Sequence, residues 1–140
     1  MPPEAELVAQ WLARADDDLR MAELAMNDRP PVLWGAAFHS QQAAEKLLKA
    51  LLTFHQVEFE RVHNIDYLLD LCVSAEPKAD ALRPTATKLT DFAVEVRYPL
   101  PRKVPTEAEA REAIEIARQV RQFVRERLQS DPSNRPECPT

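Results

Sequence analysis

A shortage of glycine constrains the fold of this chain most strongly. Gly35 is the only glycine among 140 residues, whereas sheets joined by tight hairpins usually need several glycines to turn. The 12 prolines gather at a few positions instead of being spread evenly along the chain. Because proline interrupts helices, these positions mark helix boundaries. We therefore expect an all-α protein.

Apolar residues recur at helical spacing in five segments between these boundaries. Asn64 is a candidate N-cap for the short third segment, and Thr106 with Glu109 forms a capping-box pattern before the last one. The predicted helices cover about residues 4–27, 31–55, 65–72, 82–96 and 106–129.

Four long helices with short connections predict an antiparallel up-and-down bundle of four long helices plus one short helix. This helical domain spans residues 1–129, and the polar, proline-rich residues 130–140 are predicted to form a flexible C-terminal tail.

Charge and cysteine content argue against several classes of protein. A net charge of −5 disfavours nonspecific nucleic-acid binding by the whole surface, although a local basic site remains possible. Cys72 shares an apolar face with its neighbours and Cys138 lies in the tail, so neither a metal motif nor a disulfide framework is indicated. The first residues do not resemble a signal peptide, and no apolar run approaches the roughly 18 residues of a membrane span. We expect a cytoplasmic protein without a cofactor.

Four polar residues of the second helix share one stripe. At about 100° per residue they fall within an arc of roughly 80°. An imidazole, an amide and two ammonium groups could bind an anion there, or the stripe could be a solvated face in which Lys49 pairs with Glu45. The four residues are His39, Gln42, Lys46 and Lys49.

The same helix carries apolar residues away from its main apolar arc. A helix with two apolar sides often packs against two neighbours, and a twofold dimer is the commonest way to supply the second. The alternative is that the last helix covers Phe38. The predicted dimer interface consists of Phe38, Gln41, Glu45 and Leu52.

Other candidate groups lie outside the second helix. His63 could close a turn or face a cleft. A second group consists of Arg97 and Tyr98, followed by Arg102 and Lys103. These residues could hold a phosphate and stack a base. Alternatively, Arg97 could only interact with the helix dipole at the C-terminal end of the fourth helix.

The arginines of the last helix are interspersed with glutamates, a pattern typical of a solvated, salt-bridged face more than of a nucleic-acid stripe. Asp16, Asp17 and Asp18 diverge by about 100° each, so they cannot converge on one metal ion.

Three sequence elements resemble the HEPN domain family (higher eukaryotes and prokaryotes nucleotide-binding). The resemblance covers about residues 7–128. The second element is the most specific, and Val96-Arg97-Tyr98-Pro99 follows the third. The elements are Trp11–Ala22, Phe38-His39-Ser40-Gln41-Gln42-Ala43-Ala44-Glu45-Lys46-Leu47-Leu48-Lys49-Ala50, and His63–Leu71.

The resemblance implies a helical bundle, usually dimeric and often encoded beside a small nucleotidyltransferase, with some pairs acting as toxin–antitoxin systems. Other members are ribonucleases that use an arginine followed, after four to six residues, by a histidine. This chain lacks that pattern, because His39, His55 and His63 all precede Arg97, and the usual acid/base group for RNA cleavage is therefore missing.

The preferred hypothesis is a noncatalytic nucleotide-binding or accessory subunit that partners a nucleotidyltransferase. One alternative is a ribonuclease toxin in which His39 or His63 replaces the missing histidine. Another is a protein-interaction scaffold. The residues assigned to nucleotide binding are His39, Gln42, Lys46, Lys49, Arg97 and Tyr98.

Overall fold

The computed structural model describes residues 3–90, 92 and 104–130. Every regular element in these residues is helical, which confirms the all-α prediction. Short 3-10 helices cover Pro77–Leu82 and Thr87–Thr90. The α-helices are α1 (Pro3–Asn27), α2 (Leu33–Phe54), α3 (Ile65–Ala75), α4 (Arg83–Ala86) and α5 (Glu107–Ser130).

Both predicted helix caps are present. The Asn64 side chain accepts a hydrogen bond from the Tyr67 backbone N–H at 3.1 Å, which satisfies one free donor at the start of α3. Thr106 and Glu109 cap α5 reciprocally, each backbone N–H donating to the other side chain at 3.0 and 3.1 Å.

The segment predicted as one long helix over residues 82–96 begins differently. Its described part is a single α-helical turn, α4, between two 3-10 helices. Proline at 84 lacks a backbone donor, and the Thr87 hydroxyl donates to the Arg83 carbonyl at 2.9 Å, a local bond that bends helices. Residues 91 and 93–96 lie outside the described residues. The bundle of four long helices is therefore not confirmed.

Helix α2 is the central element of the fold. Both α1 and α5 pack along it, and α3 and the 3-10 helix Thr87–Thr90 also contact it. Small side chains such as Ala36, Ala43 and Ala44 are fully buried and let the neighbouring helices approach closely. Burial extends around most of α2 and includes the polar residues Ser40, Gln41, Glu45 and Lys49.

Cys72 is a free, fully buried thiol on α3, as the sequence predicts. Burial raises the pKa of this thiol to about 12, because the thiolate would lose its hydration. Cys72 is therefore a small core residue and not a nucleophile. Cys138 and the predicted tail from residue 131 lie outside the described residues.

Candidate functional site

A carboxylate on α1 brings together two residues of the predicted stripe. The Asp18 side chain accepts a hydrogen bond from His39 Nδ1 at 2.9 Å and another from Lys46 Nζ. Asp18 is buried, whereas the His39 and Lys46 side chains each keep 23% of their surface exposed. The unit therefore consists of a buried carboxylate and two hydrogen-bond donors, His39 and Lys46, that solvent can reach.

Sequence reasoning missed Asp18 as a member of the site because it considered the three aspartates only as metal ligands. A signal was available, since Asp18 falls in the apolar seam of α1 between Ala15, Leu19 and Ala22. A charged residue in such a seam is rarely buried without a partner. Asp18 has two partners, His39 and Lys46, which lie 21 and 28 residues further along the chain.

The charge of Asp18 defines what this unit can do. A neutral His39 that donates from Nδ1 leaves Nε2 as a hydrogen-bond acceptor, whereas a protonated His39 donates from both nitrogens. Asp18 also neutralises Lys46, so an incoming anion must share or replace Asp18 as the partner of that ammonium group. The unit suits reversible contact with a phosphate more than tight anion capture.

A second carboxylate, Glu45, gathers the remaining polar residues of α2. It is 1% exposed and accepts hydrogen bonds from three side chains. The donors are Gln41 Nε2 at 2.9 Å, Lys49 Nζ at 2.8 Å and His63 Nδ1 at 2.7 Å. Gln42 joins this network by donating to Gln41 Oε1 at 2.6 Å.

Lys49 belongs to the interior and not to an open anion site. Only 7% of the residue is exposed, and its ammonium group lies 5.4 Å from the Trp11 ring and 6.0 Å from the Phe59 ring. Together with Glu45 these rings satisfy the buried charge. The assignment of Lys49 to nucleotide binding is corrected accordingly, and its predicted pairing with Glu45 is confirmed.

The predicted dimer interface needs a similar correction. Gln41, Glu45 and Leu52 are between 0% and 1% exposed within a single protomer, so they have no surface to offer a partner. Gln41 and Glu45 are buried because they bond each other, and Leu52 because it lies in the core of the bundle. Of the four assigned residues, Phe38 alone remains partly exposed.

His63 is the most exposed histidine of the chain. Its side chain is 57% exposed, although its Nδ1 is bonded to a carboxylate that is 2% exposed. The ring therefore has a fixed orientation and an accessible second nitrogen, the arrangement in which a carboxylate orients a catalytic imidazole. Arg97, Tyr98, Arg102 and Lys103 lie outside the described residues.

The arginines of α5 form ion pairs, as the mixed-charge pattern predicts. Arg121 Nε and Arg125 Nη2 donate to the two oxygens of Asp16 on α1 at 2.8 and 2.7 Å. Partial burial acts to raise the pKa of Asp16, but the hydrogen bonds and charges of Arg121 and Arg125 outweigh it and hold that pKa below its usual value.

Asp16 contacts α5, Asp17 is exposed and Asp18 contacts α2, so these carboxylates diverge as expected. In the described ranges, no group of three or more histidine, cysteine or acidic residues could hold a metal ion. None of the described helices combines the length and the apolar character needed to cross a membrane.

Comparisons with known proteins agree with this architecture. A family model, that of the HEPN domain, matches residues 8–127. The chain is also similar to the crystal structure of an archaeal HEPN homologue, with a TM-score of 0.68 and 32% sequence identity over 86% of this chain and 96% of that chain. None of the curated proteins compared with the chain matches it.

Proposed function

The chain belongs to the HEPN domain family, and on this premise we propose that it is a noncatalytic, nucleotide-binding accessory subunit. The observation that carries the proposal is the convergence of His39 and Lys46 on Asp18. It holds an imidazole and an ammonium group side by side, each with 23% of its side chain exposed, so that both can meet a phosphate. Gln42, whose amide nitrogen also donates to Gln41, lies between them on the same face of α2 and is a further proposed contact.

The expected affinity is moderate and sensitive to salt. A phosphate that binds Lys46 competes with Asp18, which lowers the net gain from the new ion pair. The Lys46 side chain is partly solvated, so ions screen the attraction of its charge for the ligand. Arg97 and Tyr98 remain predicted contacts to a phosphate and a base in the same proposal.

Isothermal titration of the purified protein with ATP and AMP tests this site. We expect Lys46→Ala and His39→Ala each to weaken binding by roughly tenfold, equivalent to about 1.4 kcal/mol. Lys88→Ala is the matched control, because Lys88 is an exposed lysine that pairs with Glu112 away from the site. Unchanged affinity in both test variants would remove the assignment.

The proposed partner is a nucleotidyltransferase encoded by a neighbouring gene, in a two-gene, toxin–antitoxin-like system in the cytoplasm. The proposed assembly also contains a homodimer of this chain. Co-purification with the product of each adjacent reading frame, followed by assay for bound nucleotide, tests the partnership. Sedimentation of the same sample measures the number of copies.

A second candidate function, RNA cleavage, is favoured by the pairing of Glu45 with the exposed His63. In that reaction His63 Nε2 would take the proton of a ribose 2′-hydroxyl, whose oxygen would attack phosphorus and displace the 5′-oxygen, which takes up a proton. The arrangement supplies an oriented base even though the usual arginine–histidine spacing is missing from the sequence.

Incubation of the pure protein with a labelled single-stranded RNA separates the two functions. Cleavage that His63→Ala abolishes and His55→Ala preserves would support the ribonuclease, as would growth arrest on expression without the neighbouring gene. A protein that leaves RNA intact and cells growing would favour the accessory role.

A further inference from the structure

An open groove runs between α1 and α5 on the side of α1 that does not meet His39 and Lys46. Its volume is about 690 Å³, and all of its lining residues come from these two helices. The helices are antiparallel there, because Asp16 pairs with Arg121 and Arg125 while Glu23 pairs with Arg118. The buried Leu19 contributes an apolar patch to the groove.

The groove concentrates arginine in a chain whose net charge is −5. Four arginines and three carboxylates line it. Asp16 is occupied by Arg121 and Arg125, but Arg118 makes only long contacts, at 3.4 Å to Glu23 and 3.7 Å to Glu115. Arg20 is exposed and forms no ion pair with any other residue that the structure describes.

Two arginines therefore retain donors for an outside partner. The side chain of Arg118 is half exposed, and Arg20 shares the groove with it. A ligand that brings carboxylate oxygens to the groove would accept hydrogen bonds from the exposed donors of Arg20 and Arg118.

We propose that this groove binds an amphipathic helix of a partner protein, one that presents carboxylates on one face to Arg20 and Arg118. The groove already holds a carboxylate, since Asp16 accepts one hydrogen bond from Arg121 and one from Arg125. The space between two antiparallel helices is the shape that receives a third helix. Leu19 and the aliphatic stems of the arginines supply the apolar contact.

The mixed charge of the groove selects against other ligands. A nucleic-acid strand carries a phosphate at every nucleotide and would meet Glu23 and Glu126 on the rim. A helix of mixed charge can instead place basic residues opposite those glutamates. The groove is also too open to bury most of a small molecule, as ligand pockets do. The proposal does not depend on nucleotide binding, because Asp18 faces α2.

Fluorescence anisotropy with the full-length protein tests the proposal. The probe is a labelled alanine-based helical peptide with glutamates at i and i+4, and the comparison peptide carries glutamine at the same positions. We expect the protein to bind the glutamate peptide at least tenfold more tightly than the glutamine peptide. Because the protein and the peptide are both acidic, such binding would reflect local charge and not the net field.

Charge reversal locates the binding surface. We expect Arg20→Glu with Arg118→Glu to weaken peptide binding at least tenfold, and the milder Arg20→Ala with Arg118→Ala to weaken it severalfold. Arg111→Glu is the matched control, because Arg111 lies on α5 and pairs with Glu107 outside the groove. Circular dichroism verifies that each variant is folded.

Three results would overturn the proposal. One is the absence of binding to the glutamate peptide, and another is equal binding by the double variant and the Arg111→Glu control. The third is evidence that the groove binds a different occupant. That evidence would be Arg118-dependent binding of a single-stranded 12-mer oligonucleotide that is tighter than binding of the glutamate peptide, or Arg118-dependent self-association of the protein in sedimentation.

Discussion

At the scale of single residues, two carboxylates organise the polar chemistry of this protein in the same way. Asp18 and Glu45 each accept hydrogen bonds from a histidine Nδ1 and from a lysine Nζ. The two lysines differ in exposure: Lys46 is partly accessible, whereas Lys49 is enclosed by aromatic rings. Lys46 is therefore suited to ligand contact, whereas Lys49 helps to hold the core together.

The buried Glu45–Lys49 pair gives a prediction about stability. Glu45→Gln leaves the Lys49 ammonium group buried without its counter-charge, and we expect it to lower the free energy of unfolding by about 3–5 kcal/mol. Adding Lys49→Met should recover part of that loss, because the methionine removes the unpaired charge but keeps the packing. Urea unfolding of Glu45→Gln, Lys49→Met and the double variant measures the effect.

The control for this cycle is Glu112→Gln, which breaks the exposed Lys88–Glu112 pair and should cost less than about 1 kcal/mol. A double variant as unstable as the sum of its single changes would show that Glu45 and Lys49 do not stabilise each other.

At the scale of elements, close helix packing brings the polar groups into contact. Asp18 can reach His39 and Lys46 because α1 lies close to α2, and that contact is rich in alanine. Ala22 on α1 and Ala43 on α2 are 0% exposed and belong to one apolar cluster. Larger side chains at these positions would push α1 away from α2 and open the Asp18 unit.

Ala43→Leu tests this packing. The added carbons enter a filled interface, and we expect a loss of about 1–3 kcal/mol in the free energy of unfolding. Ala13→Leu, at an exposed position of α1, is the control and should change stability by about 0.5 kcal/mol or less. Equal denaturation midpoints for the two variants would show that the α1–α2 contact tolerates a wider separation.

At the scale of the whole molecule, the sequence predicts features set by near neighbours along the chain, but it does not predict ion pairs between distant helices. The seams of α1 and α5, the Asn64 cap and the capping box at Thr106 all depend on residues three or four positions apart, and they are present as predicted. The partner of Asp16 lies 105 residues away along the chain, at Arg121. No periodicity encodes such a pair, because it exists only after α1 and α5 have packed on α2.

The broken start of the predicted fourth helix and the burial of Gln41 show the same limit. Apolar spacing fits a helix from Leu82, but the local bonds of Thr85 and Thr87 act against a regular one. From the sequence, Gln41 and Glu45 are predicted to lie on a face of the second helix that meets a second subunit. Their mutual hydrogen bond, together with Lys49 and His63, makes full burial possible.

Asp16 connects the first and last long helices, and its lowered pKa predicts how the fold responds to acid. A carboxyl whose pKa is lower in the folded state than in the unfolded state stabilises the fold above its unfolded pKa of about 3.9, and this contribution disappears as the pH falls through the folded value. The stability difference between wild type and Asp16→Asn should therefore be constant above about pH 5 and should shrink below about pH 4.

Urea unfolding of both proteins between pH 3 and pH 7 measures this difference. Because 37% of the Asp16 side chain is exposed, solvent screens its ion pairs, and we expect wild type to be more stable at pH 7 by about 1 kcal/mol or less. Asp17→Asn removes the same charge from an exposed position next to Asp16 and controls for the change in net charge. A difference that persists unchanged at pH 3 would mean that Asp16 stabilises the α1–α5 contact by packing alone, without its charge.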